Sequence, residues 1–210
     1  KFKDLPVAFA PARVQQTLGE VISQSGLTQL RTSESEKFAH VTFFLNGGNN
    51  APFQGETDVR IPSLRGIPFD QVPELSLPAV ADEVLKGLHQ GYDLIVTNFA
   101  NGDVIGHTSN RDAKLKCASI VDHHLGRVVQ AALEQDYVTL ITADHGNLEV
   151  LTSEDGTPHV SHTTNPVAFI LIDPRQPAGL QVRDGKLADI ALTLLQILDV
   201  IKQKVMEGLE

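Results

Sequence analysis

The sequence has almost no cysteine. Its single thiol, Cys117, cannot close an intrachain disulfide or build a thiolate zinc site alone, so the chain suits a reducing compartment and is expected in the cytoplasm. No apolar run approaches the roughly 20 residues needed to span a bilayer, and no charged-then-apolar leader opens the chain. Basic charge is also scarce: 17 Lys and Arg face 26 Asp and Glu, for a net charge of −9. That balance lacks the footprint that binding to phosphate backbones or anionic lipid demands, so neither nucleic acid nor membrane is an expected partner. No internal repeat or low-complexity tract is present.

What remains is an ordinary globular composition of 210 residues, 41% hydrophobic and 20% charged, enough for one domain with a sizeable core. Apolar runs rich in β-branched residues alternate with stretches of helical periodicity, the pattern of a layered α/β domain. Val14, Leu18, Val21 and Ile22 predict a helix over 13–25, stopped by Gly26. Residues 40–45 predict a strand running into the Asn46-Gly47-Gly48 loop, and Pro52, Pro62, Pro68, Pro73 and Pro78 make 49–78 an irregular excursion. Helices follow at 79–90, closed by Gly91, at 111–134 and at 187–198. Strands are expected at 92–99, 137–143 and 167–172, with a hairpin or loop at 152–158. Intervening helices imply several parallel strands.

The polar residues of interest lie where strands end, the place where ligands of open α/β sheets bind. Asp103 and His107 are four residues apart, so on a helical turn a carboxylate and an imidazole share one face and can hold a divalent cation; Gly102 and Gly106 permit a tight backbone there. Asp144 and His145 follow the 137–143 strand, and their diverging side chains can reach two different metal ions. His159 and His162 lie in a polar loop, and either is a candidate ligand. Oxygen and nitrogen donors without clustered thiolates suit manganese or zinc. His89, His123 and His124 fall on predicted helices as surface or part-buried residues, His40 opens a predicted strand as a packing residue, and Cys117 is a small buried hydrophobe.

Four stretches, 35–48, 98–108, 142–147 and 159–166, together resemble the cofactor-independent phosphoglycerate mutases of the alkaline phosphatase superfamily. The likeness continues through Gly185 to Ala191 and Met206 to Gly208. It implies an alkaline-phosphatase-like three-layer α/β/α sandwich with a mostly parallel central sheet. It also implies two divalent metal ions, manganese ahead of zinc or cobalt: Asp103, His107 and His162 would hold one, and Asp144 and His145 would help hold the second. Lys37, beside Glu36, matches the family's substrate-contacting lysine. The implied activity is interconversion of 3- and 2-phosphoglycerate through a phosphoserine, in glycolysis and gluconeogenesis.

Members of that family are more than twice this length, and their phosphatase-like domain is assembled from both ends of the chain around an inserted transferase domain. The chain is therefore expected to be a fragment: residues 1–12 a linker remnant, residues 13–210 the C-terminal part of the phosphatase-like domain, with the N-terminal strand segment and the transferase domain absent. No motif matches the nucleophilic serine or the early aspartate ligand, and Ser33, Ser35, Ser109 and Ser161 lack the context to replace it. The fragment is expected to be inactive alone, and to self-associate through an exposed sheet edge, while the parent is expected to be a monomer. Two other readings stand: a metal-dependent phosphatase or phosphodiesterase, and a non-catalytic complementing half.

Overall fold

The computed structural model describes residues 14–176 and 182–200. The expected linker at 1–12, Arg13 and the motif at 206–208 lie outside them. In chain order the elements are α1 (Leu18–Gln24), β1 (Gln29–Glu34), α2 (Phe38–Val41), β2 (Glu56–Ile61), a 3-10 turn (Phe69–Gln71), α3 (Leu77–Gln90), β3 (Leu94–Asn98), α4 (Asn101–Gly106), α5 (Arg111–Glu134), β4 (Thr139–Thr142), β5 (Phe169–Ile172) and α6 (Asp189–Ile197).

Strands β2, β1 and β3 form a parallel sheet in that order, with Gln29 paired to Glu56 on one side and to Leu94 on the other. β4 and β5 form an antiparallel pair, Thr139 opposite Ile172. Helices cover both faces of β3. Leu94 and Val96 pack with α1 and α6 through Leu18, Ile22 and Leu195, whereas Ile95 packs with α3 and α5 through Val84, Leu88 and Val128. Neighbouring β3 side chains thus point to opposite layers, which is why a strand buried on both faces reads as a continuous apolar run. The α/β class and its parallel sheet are as expected.

Helices α3 and α5 follow the sequence closely. α3 ends at Gly91, whose φ of 74° is left-handed, a conformation that costs glycine little. α5 is capped by Asn110, whose side chain accepts from the Ala113 amide at 3.0 Å. The 152–158 hairpin is also present, with Thr152 bridging Pro158.

Three expectations change. Residues 40–45 are not a strand: α2 and successive turns occupy 38–48, with Phe44 N donating to Ala39 O at 2.9 Å and Asn46 N to Thr42 O at 2.8 Å. His40 therefore closes a short helix and packs edge-on against Phe44, ring centroids 5.4 Å apart. A short run with four apolar residues in six fits a helix as well as a strand. Second, 49–78 is not wholly irregular, since β2 lies between Pro52 and Pro62 at the sheet's edge, where proline is tolerated. Third, α1 begins at Leu18 after the Thr17 cap rather than at 13, leaving Val14 exposed.

The central strand β1 was not foreseen. Its sequence Gln-Leu-Arg-Thr-Ser-Glu is polar yet buried throughout, and it is held by side-chain bonds in place of apolar packing. Gln29 donates to Gly19 O at 2.9 Å, Ser33 to Asn98 O at 2.9 Å, and Glu34 accepts from Ser76 N at 3.0 Å and Ser63 Oγ at 3.1 Å.

Candidate metal centre

The site lies beyond the C-terminal ends of β1, β3 and β4. After β3, Asn101 opens α4; its buried amide donates to the carbonyls of Pro73 (2.8 Å) and Glu74 (2.9 Å) and fixes the helix. One helical turn then puts Asp103 and His107 on one face, with His107 Nε2 3.1 Å from Asp103 Oδ1. Gly106 between them lies against the buried Asn147, where a Cβ would collide with the amide group. Gly102 faces open space and needs no such freedom.

His162 comes from the far loop, its Nε2 2.8 Å from Asp103 Oδ1 and 3.1 Å from His107 Nε2. Asp103, His107 and His162 thus offer ligand atoms all within 4.8 Å of one another. His107 Nδ1 lies 2.8 Å from the Val160 carbonyl, which can only accept, so Nδ1 carries a proton and Nε2 is the nitrogen turned into the cluster, where a cation would replace any proton on it. Fixing the tautomer through the other ring nitrogen is how proteins ready an imidazole for a cation. The donor set of one carboxylate and two imidazoles fits a divalent ion bound by oxygen and nitrogen.

His145 joins from the loop after β4. Its ring stacks on His162 with centroids 3.6 Å apart, and Nε2 lies 3.8 Å from Asp103 Oδ1 and 3.6 Å from Asp144 Oδ1. The Asp144 side chain is 57% exposed and is not one of the three grouped ligands. Lys37, just after β1, places Nζ 2.5 Å from Asp103 Oδ2. Burial pushes the Asp103 carboxyl up, but hydrogen bonds from Lys37 and His162 and the charges of Lys37 and His107 outweigh it and hold it at about 2. Glu34 sets Lys37 in place: its side chain ties Ser63 and Ser76, and its carbonyl accepts the Lys37 amide at 3.0 Å.

His159 does not reach the cluster. Its amide donates to Leu151 O at 3.1 Å, and its Nδ1 lies 3.3 Å from Ser153 Oγ, within the 152–158 hairpin. His89 binds its own helix through Leu85 O, and His124 contacts Arg127. Cys117 is fully buried, and burial pushes its thiol up to about 11, as for an inert core residue.

Sequence reasoning missed the residues that bring the two loops together. Glu149 accepts from Thr163 Oγ1, from Asn165 Nδ2 at 3.0 Å and from the Asn147 amide at 2.6 Å. Although desolvation opposes it, these bonds lower the Glu149 carboxyl to about 2. Thr163 N also donates to Gly146 O at 2.9 Å, an isolated bridge between the His145 and His162 loops. The only signal was polar density in both loops.

A cavity of about 1550 Å³ runs from this cluster between β3 and β4, lined by Ile95, Thr97, Leu125, Leu140, Asp103 and His145 among others. Among the described residues β3 pairs on one edge, with β1, and β4 on one edge, with β5.

An α/β fold with histidines and carboxylates gathered at its strand ends defines a metal-binding class, and the chain belongs to the metalloenzyme superfamily, which it matches over residues 8–202. Within that class it is similar to the 2,3-bisphosphoglycerate-independent phosphoglycerate mutases. It is 48% identical over 206 residues to that of Syntrophotalea carbinolica, covering 97% of this chain and 40% of the relative. It is 48% identical over 203 residues to that of Moorella thermoacetica, covering 97% and 39%. The structure of Leishmania mexicana phosphoglycerate mutase at low cobalt concentration superimposes with a TM-score of 0.76 at 29% identity, over 86% of this chain and 36% of that one. The family resemblance read from the sequence is borne out, and the chain spans about two-fifths of the length of the curated relatives it matches.

Proposed function

We propose that the chain supplies the metal-binding half of a phosphoglycerate mutase that interconverts 3- and 2-phosphoglycerate through a phosphoserine, a cytoplasmic step of glycolysis and gluconeogenesis. The convergence of His107 and His162 on Asp103, in a chain 48% identical to named mutases, carries this reading. Asp103, His107 and His162 hold one divalent ion, manganese first, and Asp144 and His145 contribute to a second. Bound there, such ions lower the pKa of an attacking hydroxyl and offset charge on the phosphoryl oxygens.

The chain's own residues orient and bind. Val160 O fixes the His107 tautomer, and Glu149 and Thr163 hold His145 and His162 in register. Lys37 is the ammonium nearest the cluster; as a point charge it suits the phosphate or carboxylate of a phosphoglycerate. The nucleophilic serine is assigned to the part of the enzyme that the relatives have and this chain does not match. The cavity of about 1550 Å³ between β3 and β4, with Ile95, Leu125 and Leu140 in its lining, is the place for a strand from that part. Through the β3 and β4 edges that have no partner among the described residues the chain associates with itself, although the complete enzyme is a monomer.

The test is to titrate the purified chain with Mn²⁺ and to assay it on 3-phosphoglycerate. It is expected to bind manganese and to show no mutase turnover. Turnover by the chain alone overturns the assignment of the serine elsewhere, and hydrolysis of a generic phosphoester would replace it with a phosphatase. Absence of Mn²⁺ binding overturns the metal reading.

A further inference from the structure

Lys114 lies in the first turn of α5 and is 1% exposed. Its ammonium donates to the carbonyl of His159. Burial lowers its pKa, and no carboxylate charge offsets the shift. A buried cation satisfied by a carbonyl is unfavourable, and the positive end of a helix adds to the cost. An apolar side chain would fill the same space with less penalty, so the lysine's distinctive contribution is a fixed point for one carbonyl.

That carbonyl adjoins the site. The next one along, Val160 O, accepts from His107 Nδ1 at 2.8 Å, so consecutive peptide units are gripped from α5 and from the end of α4. Beyond His162 the chain is gripped again, by Thr163 N to Gly146 O at 2.9 Å and by Thr163 Oγ1 to Glu149. His162 lies between these two clamps in a segment with no regular secondary structure. We propose that Lys114 is a positioning residue: through the His159 carbonyl it fixes the loop that carries His162, and with it the spacing of the Asp103–His107–His162 cluster. The inference rests on the metal reading of that cluster.

The experiment is calorimetric titration of MnCl₂ into the 210-residue chain and into Lys114→Met and Lys114→Ala, with metal-free melting curves of all three. The expected result is Mn²⁺ affinity about tenfold weaker in both variants, the scale seen when a ligand's supporting contact is lost. Metal-free Lys114→Met should melt at or above the temperature of the unmodified chain, because an uncompensated buried charge is gone. A role confined to core packing predicts the reverse, lower melting with affinity retained. Variants that bind Mn²⁺ within twofold of the unmodified chain overturn the proposal and leave the metal reading intact. An unmodified chain that binds no Mn²⁺ overturns both. If neither variant folds, Lys114 is a determinant of the core, and the positioning role is equally overturned.

Discussion

Asp103 is the residue on which the site turns, since His107, His162 and Lys37 all meet its two oxygens. Asp103→Asn keeps the shape and removes the charge. It should cut Mn²⁺ affinity of the chain at least 100-fold in a calorimetric titration, because a first ligand is lost and Lys37 then faces no anion. Affinity within tenfold of the parent would place the ion elsewhere. The residue scale was also the most legible from sequence, where one helical turn fixed the Asp103–His107 pair. It was illegible where loops decide: nothing in the spacing of His159 and His162 told which one turns inward, since His159 is taken up by Ser153 within its own hairpin whereas His162 meets Asp103 59 residues away.

At the scale of elements, α4 is pinned between Asn101 and the close approach of Gly106 to Asn147. Gly106→Ala should therefore destabilise the chain by about 1–3 kcal/mol, the usual cost of overpacking a buried contact. A chemical denaturation curve matching the parent would show that Asn147 can move aside. The Glu149 tie between two loops has a different signature: Glu149→Gln should weaken Mn²⁺ binding by about tenfold while leaving α3 and α5 intact by circular dichroism. These helices were readable because a long amphipathic pattern with caps admits one structure. β1 was not, because five of its six buried residues are polar, with Gln29, Ser33 and Glu34 held by hydrogen bonds, and leave no hydrophobic periodicity; the apolar run at 40–45 satisfies its backbone locally instead of in a ladder.

Whole-molecule stability links charge to pH through the β1–β2 face. Asp58 is pushed up to about 6 by burial and by neighbouring Glu56, while buried Arg31 pulls against that and is itself lowered to about 10. An unfolded aspartate titrates near 3.9, so the folded chain binds this proton more tightly. Its stabilising effect is complete below about pH 4 and is lost as pH rises through 6. Asp58→Asn should accordingly raise the melting temperature at pH 8 by about 2–4 °C, for roughly 1 kcal/mol, and give no gain at pH 4. A gain independent of pH would assign the effect to packing. Metal acts on the whole fold as well: Mn²⁺ at 100 times its dissociation constant should stabilise the chain by about 2.7 kcal/mol, reversed by a chelator.

The polar centre of the sheet bears on how the chain survives its own synthesis. Parallel strands pair late, because each waits for a crossover, and until then β3 offers Leu94, Ile95 and Val96 to any passing neighbour. The strand that must slide in beside it carries Arg31 and Glu34, charges that a stacked fibril of identical strands would place one above another at unfavourable spacing. Such gatekeepers cost some native packing and discourage the nascent sheet from growing between molecules.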